Sequence, residues 1–282
     1  DLAADLSRAG GEAWSRLQST VSSTLERVWN RESGERKTVT QLRTLAFSPD
    51  REIRRRAFAL ELEAWKEMET PLSFALNGVK GFTHSLNRRR AYATTIERSL
   101  SQSRITEGVL EALIGAMEES LPAFHGYLQS KAALIGVDQL AFYDLFAPVA
   151  SKEPKEWSFD EAREFICTHF GAFSEDLQAY AVKAFDSRWI DAEPRSGKVG
   201  GAYCISFPEQ GMSRILANFS GSSRDVSTLA HELGHGYHHY LVKDLSPIHQ
   251  DYPMTLAETA SIFAETLVTD KALGLLGGSE RL

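Results

Sequence analysis

Between Glu12 and Asp186, apolar residues recur at intervals of three and four. Examples are Trp14, Leu17, Val21 and Leu25, or Val109, Leu110, Leu113, Met117 and Leu121. This is the period of one face of an α-helix, so the segment reads as a run of helices. Helix-start chemistry agrees. Ser48-Pro49-Asp50 offers an N-cap, a proline at the first helical position and an acid in the first turn, and Ser158-Phe159-Asp160-Glu161 has the capping-box pattern ahead of Ala162 to Phe170. Pro71 and Pro122 are expected to break or kink the helices they interrupt. No period recurs with matching residues, which argues against a solenoid. The irregular patch Phe142-Tyr143-Asp144-Leu145-Phe146-Ala147-Pro148 reads as a hinge, dividing a helical region, residues 1–141, from a second region, residues 142–282.

The pattern changes between Ile190 and Phe219. A turn-rich stretch from Asp191 to Gly201 leads into two short runs, Ala202 to Phe207 and Arg214 to Phe219, which suit strands joined by a loop. These runs are the only β expected in the chain. After Gly221 the helical period returns, with Ser222, Ser223 and Asp225 as cap candidates for a helix from Arg224 to Lys243. A final helix is expected from Pro253 to Leu275, ending at Gly274, Gly277 and Gly278. The expected fold is mostly α, with a small β element beside the penultimate helix.

Composition narrows the functional classes. The 282 residues are 43% hydrophobic and 24% charged, an ordinary globular balance that excludes disordered and collagen-like classes. A formal charge of -7 has the wrong sign for binding nucleic acid through the overall field. The triplets Arg54-Arg55-Arg56 and Arg88-Arg89-Arg90 read as wet helix faces. Cys167 and Cys204 have no C-x-x-C spacing and suit a reducing compartment, so a cytoplasmic location is expected. No apolar run reaches the length of a membrane span, and the first residues carry no signal-peptide pattern.

The chemistry is concentrated in His231-Glu232-Leu233-Gly234-His235. Residues i and i+4 share a helix face, so both imidazoles can point at one cation, while Glu232 is rotated by about 100° and reaches water beside the metal. A catalytic zinc takes three protein ligands and keeps a fourth position for water. Asp244, His249 and Asp251 follow in the connection, and Glu258 and Glu265 share a face of the next helix. Glu258, set among Leu256, Ala257 and Ala260, is the preferred third ligand, because a carboxylate there is costly to bury without a positive partner. Glu265 is read as steadying a ligand histidine or the region of Ser261. His238 returns to the metal face but lies about 10 Å from His231 along a straight helix, too far to bind the same ion, so it is expected to line the substrate site. His239 and Tyr240 are read as packing or surface groups. Gly200 and Gly201 either permit close backbone approach or make a simple turn before the strand, and the strand from Gly201 through Tyr203 to Ile205 is a candidate edge for pairing with an extended peptide.

The stretch from Ser227 to His239 together with Asp251-Tyr252-Pro253-Met254-Thr255-Leu256-Ala257-Glu258-Thr259-Ala260-Ser261-Ile262-Phe263-Ala264-Glu265 resembles the M3 family of zinc peptidases, in particular the oligoendopeptidase F branch. The segments Phe142 to Pro148, Arg188 to Pro194 and Gly197 to Cys204 are similar to the same branch, so the likeness covers most of the chain. The resemblance implies a zincin-like catalytic region in residues 142–282, one zinc held by His231, His235 and Glu258, and Glu232 as general base. The 22 residues between His235 and Glu258 suit this family better than zincins with a shorter gap. The resemblance also implies a longer protein. The family carries, beyond the ligand helix, His and Tyr residues that polarise the scissile carbonyl, whereas this sequence stops 24 residues after Glu258. The chain is therefore expected to be a fragment, with the C-terminal segment of the same protein as its partner.

The function expected is hydrolysis of internal bonds of short peptides by metal-activated water. Rival readings are a zinc aminopeptidase or carboxypeptidase and, outside enzymes, a helical binding scaffold with a structural or accidental metal site.

Overall fold

The computed structural model describes residues 2–149 and 156–275 and divides the chain into two compact units. The first comprises Asp1–Val149 with Ser196–Val199, and the second Ala150–Arg195 with Gly200–Leu282. Gly277 and Gly278, read as helix-stop signals, lie outside the described residues. No helix among the described residues is long and apolar enough to cross a membrane.

In the first unit, α1 (Leu2–Leu6), a π-helical turn (Ser7–Glu12) and α2 (Ala13–Thr24) lead into a hairpin of β1 (Glu26–Val28) and β2 (Arg36–Thr38). Then follow α3 (Val39–Thr44), α4 (Arg51–Glu67), α5 (Glu69–Arg89), α6 (Thr95–Ser103) and α7 (Glu107–Leu134). The hairpin corrects the expectation of uninterrupted helix. Its strands are three residues long and mostly charged, so they carry no alternating apolar signal. Asp50, not Ser48, caps α4, accepting the Glu52 N–H at 2.8 Å. Pro71 breaks nothing, because it lies in the first turn of α5, where backbone N–H groups have no intrahelical acceptor. Pro122 is carried inside α7, which continues past it. The apolar face of α7 stays open, with Leu113 and Met117 more than half exposed.

The patch read as a hinge is instead a pinned anchor. Phe142–Asp144 form a 3-10 turn that buries Asp144 completely. Arg54 Nη2 donates to Asp144 Oδ1 at 2.9 Å, Arg51 Nη2 to Oδ2 at 3.0 Å, and the Ala141 N–H to Oδ2 at 3.0 Å. Arg54 is therefore buried, not on a wet helix face, whereas Arg88, Arg89 and Arg90 are exposed. Burial alone would raise the Asp144 carboxyl, but the hydrogen bonds from Arg51 and Arg54 outweigh it and hold the group at about 2.

The second unit contains α8 (Phe159–Phe173), α9 (Glu175–Asp186), β3 (Ile190–Asp191), β4 (Tyr203–Phe207), β5 (Met212–Leu216), α10 (Ser223–Val242), α11 (Pro247–Gln250) and α12 (Met254–Leu275). The capping box of α8 forms as its sequence predicts, with Glu161 N–H on Ser158 Oγ at 3.1 Å and Ser158 N–H on Glu161 Oε2 at 2.8 Å. The sheet order is β3-β5-β4, with β3 parallel and β4 antiparallel to β5, so β4 is an edge. The core joins Ile166 and Phe170 of α8, Leu177 and Ala181 of α9, Ile215 of β5, Leu229 and Leu233 of α10, and Ala264 and Val268 of α12.

Helices α10 and α12 meet at Gly234. A Cβ there would lie 2.6 Å from the Ala260 carbonyl oxygen and 2.8 Å from both Ser261 Cα and Ala264 Cβ. No flexible side chain can yield, so the contact distance requires glycine.

Two outcomes follow. Asp144→Ala leaves Arg54 buried without its partner and is expected to cost about 3 kcal/mol in denaturant unfolding. In the parent chain this carboxylate is held below its unfolded value near 4, so its contribution is present above about pH 4 and is lost as pH falls towards 2, measurable in acid-unfolding curves compared with the variant. Gly234→Ala should destabilise the second unit by about 2 kcal/mol by thermal melting, because overpacking outweighs the gain of about 1 kcal/mol in helix propensity.

Candidate metal centre

The side chain of Ser222 accepts the Asp225 N–H at 3.2 Å to start α10, and Asp225 Oδ2 accepts the Ser222 N–H at 3.0 Å and the Ser220 hydroxyl at 2.8 Å. Val226, Leu229, Ala230 and Leu233 bury one face of α10, which fixes the helix about its axis. His231 and His235 are thereby turned towards α12. Their rings are nearly perpendicular, with centroids 4.9 Å apart.

Glu258 stands in the second turn of α12. Its Oε2 lies 3.2 Å from His231 Nε2 and 3.3 Å from His235 Nε2, and one ligand atom from each of the three residues lies within 4.8 Å of the others. Two ligands each about 2.1 Å from a tetrahedral ion are about 3.4 Å apart, so this donor set fits zinc in spacing as well as in ligand type. Asp244, His249 and Asp251 stand outside this cluster. Asp244 pairs with Lys243 at 3.0 Å and His249 Nδ1 lies 3.3 Å from Ser246 Oγ.

The other ring nitrogen of His231 is also engaged. Its Nδ1 lies 3.2 Å from Glu265 Oε2, and Ser227 Oγ donates to Glu265 Oε1 at 3.0 Å. With Nδ1–H donating to the carboxylate, Nε2 presents its lone pair towards Glu258, the tautomer a metal needs. Burial lowers the pKa of His235 and favours its neutral, ligating form.

Glu232 is 5% exposed and its Oε2 is buried with no hydrogen-bond partner. Burial pushes the carboxyl up to about 7, with the Glu258 charge adding to the rise and His231 opposing it. His238 lies outside the three-residue cluster. Its ring stacks on Tyr252 with centroids 4.3 Å apart. His239 is held down to about 4, mainly by burial, and packs with Tyr252 at 6.2 Å. Gly201 precedes β4 at φ +83°, a conformation open to glycine, and its carbonyl accepts from Asn218 Nδ2 at 2.9 Å. Tyr203, Ile205 and Phe207 project from one side of β4 and are 42–49% exposed, while Cys204 and Ser206 point to the more buried side.

Gly234, Ser227 and Tyr252 escaped the sequence reading, and Ser261, which that reading linked to Glu265, bonds Glu258 instead. Ser227 and Ser261 each stand at helical spacing from the group they serve, four residues before His231 and three after Glu258, which is the one signal that could have marked them.

A model of peptidase family M3 matches residues 44–276. The oligopeptidase PepF of Bacillus subtilis is 26% identical over 249 residues, which is 87% of this chain and 37% of that protein. The chromosomal oligoendopeptidase F of Lactococcus lactis subsp. cremoris is 29% identical over 233 residues, 82% of this chain and 38% of that protein. The chain thus spans about two-fifths of the length of these relatives. Among solved structures, PZ peptidase A with an inhibitor superposes with a TM-score of 0.82 at 20% identity, over 93% of this chain and 47% of that one. The oligoendopeptidase F of Enterococcus faecium gives a TM-score of 0.56 at 22% identity, over 98% of this chain and 42% of that one. The fold is mostly α and zincin-like, with its small sheet beside the motif helix, and the family model extends over most of the sequence: the chain belongs to peptidase family M3.

Proposed function

We propose that this chain forms the catalytic part of a zinc-dependent metalloendopeptidase that hydrolyses internal bonds of short oligopeptides. The observation that carries the reading is the convergence of His231, His235 and Glu258 on one point, with the buried, unpartnered Glu232 carboxylate on the same helix. Family membership and the oligopeptidase names of the relatives support it.

Zinc at this point would act as a Lewis acid on the scissile carbonyl and on the attacking water. The remaining work falls to the chain. Glu232 takes the proton of the attacking water and returns it to the leaving amine, a task suited to a buried carboxylate with no competing hydrogen-bond partner at Oε2. Glu265 holds the His231 ring through Nδ1. The free edge of β4 pairs with an extended peptide through main-chain hydrogen bonds, next to the exposed Tyr203, Ile205 and Phe207. His238, backed by Tyr252, lines the same region. Two free cysteines, Cys167 and Cys204, fit a reducing cytoplasm.

Elemental analysis should find about one zinc per chain, lost in His231→Ala. Glu232→Gln in the intact protein should keep the zinc and lower hydrolysis of an internally quenched peptide by about 10²-fold or more. An active glutamine variant would contradict the general base, and stoichiometric zinc in an intact protein that cleaves no peptide would favour a structural metal on a binding scaffold.

A further inference from the structure

Ser261 lies one helical turn beyond Glu258 on α12 and is completely buried. Its Oγ is 2.7 Å from Glu258 Oε2 and 3.0 Å from the Glu258 carbonyl oxygen. A hydroxyl has one proton and donates fully to one acceptor at a time. The shorter contact has the length of a charge-assisted O–H···O⁻ bond. The atom that receives it, Oε2, is also the atom that faces Nε2 of both His231 and His235.

We infer that Ser261 is a positioning residue that holds the Glu258 carboxylate in its ligating rotamer before any metal arrives. The inference rests on the zinc-site reading above. Glu258 needs such a hold because its side chain is 40% exposed and, as a glutamate, rotates about three torsions. Ser261 can supply it because its own place is fixed. It packs where Gly234 lets α10 approach α12, so the hydroxyl is set by the helix crossing and not by a mobile loop. Glu265 receives a comparable bond from Ser227, but that carboxylate acts on an imidazole; Ser261 bonds the ligating oxygen itself.

Chelator competition on the whole chain tests this. The parent is measured first, and Ser261→Ala is expected to weaken zinc binding by about tenfold to a hundredfold, with a metal-free melting temperature close to the parent's. The visible spectrum of the cobalt(II)-loaded variant should change as well, since a loosened carboxylate alters coordination, whereas a merely structural role would leave it unmoved. Should the alanine chain melt early, Ser261→Thr, which keeps the hydroxyl, carries the test: parent-like affinity supports the hold and alanine-like affinity overturns it. Parent-like zinc affinity and cobalt spectrum in a folded Ser261→Ala overturn the inference alone. No zinc in the parent overturns it together with the site reading.

Discussion

The candidate metal centre depends on how closely α10 approaches α12. Gly234 stands between His231 and His235 in sequence and faces Ala260, Ser261 and Ala264 across the contact. With no side chain in the way, Glu258 comes within 3.3 Å of both imidazoles. The polar contacts around the site share this geometry: Glu265 on His231, Ser261 on Glu258, and the burial that leaves Glu232 Oε2 without a partner. A helix crossing built from small residues thus sets the spacing of His231, His235 and Glu258, and its stiffness comes from the apolar core that α10 and α12 share.

The chain buries acidic groups in two ways. Asp144 in the first unit is buried with its charge compensated by two arginines, which is an anchoring arrangement. Glu232 is buried without compensation, which is costly unless a cation and a water complete its surroundings. The contrast explains why one carboxyl is held at about 2 and the other rises to about 7 within the same chain.

The long helices and the metal motif were legible in the sequence because each is written in local spacing. The i, i+4 histidines, the capping residues Ser158 and Ser222 and the apolar period of α10 all act within one or two turns. What was not legible depends on distant partners. Arg54 looks like a surface residue until Asp144, ninety positions later, folds onto it. The β1–β2 hairpin is too short and too charged to show a period. β5 begins two residues earlier than expected and ends at Leu216, because backbone pairing with β4, not side-chain alternation, sets its limits. Ser261 carried no marker beyond its distance from Glu258, since its importance comes from a contact between two helices.

The account is tested most directly by zinc K-edge X-ray absorption on the loaded chain. It predicts a first shell of two imidazole nitrogens and carboxylate or water oxygens at about 2.0–2.2 Å, four-coordinate, with the second imidazole lost in His235→Ala. A first shell containing sulfur at about 2.3 Å, or one that His235→Ala leaves unchanged, would show that the ion binds elsewhere and would contradict the site formed by α10 and α12.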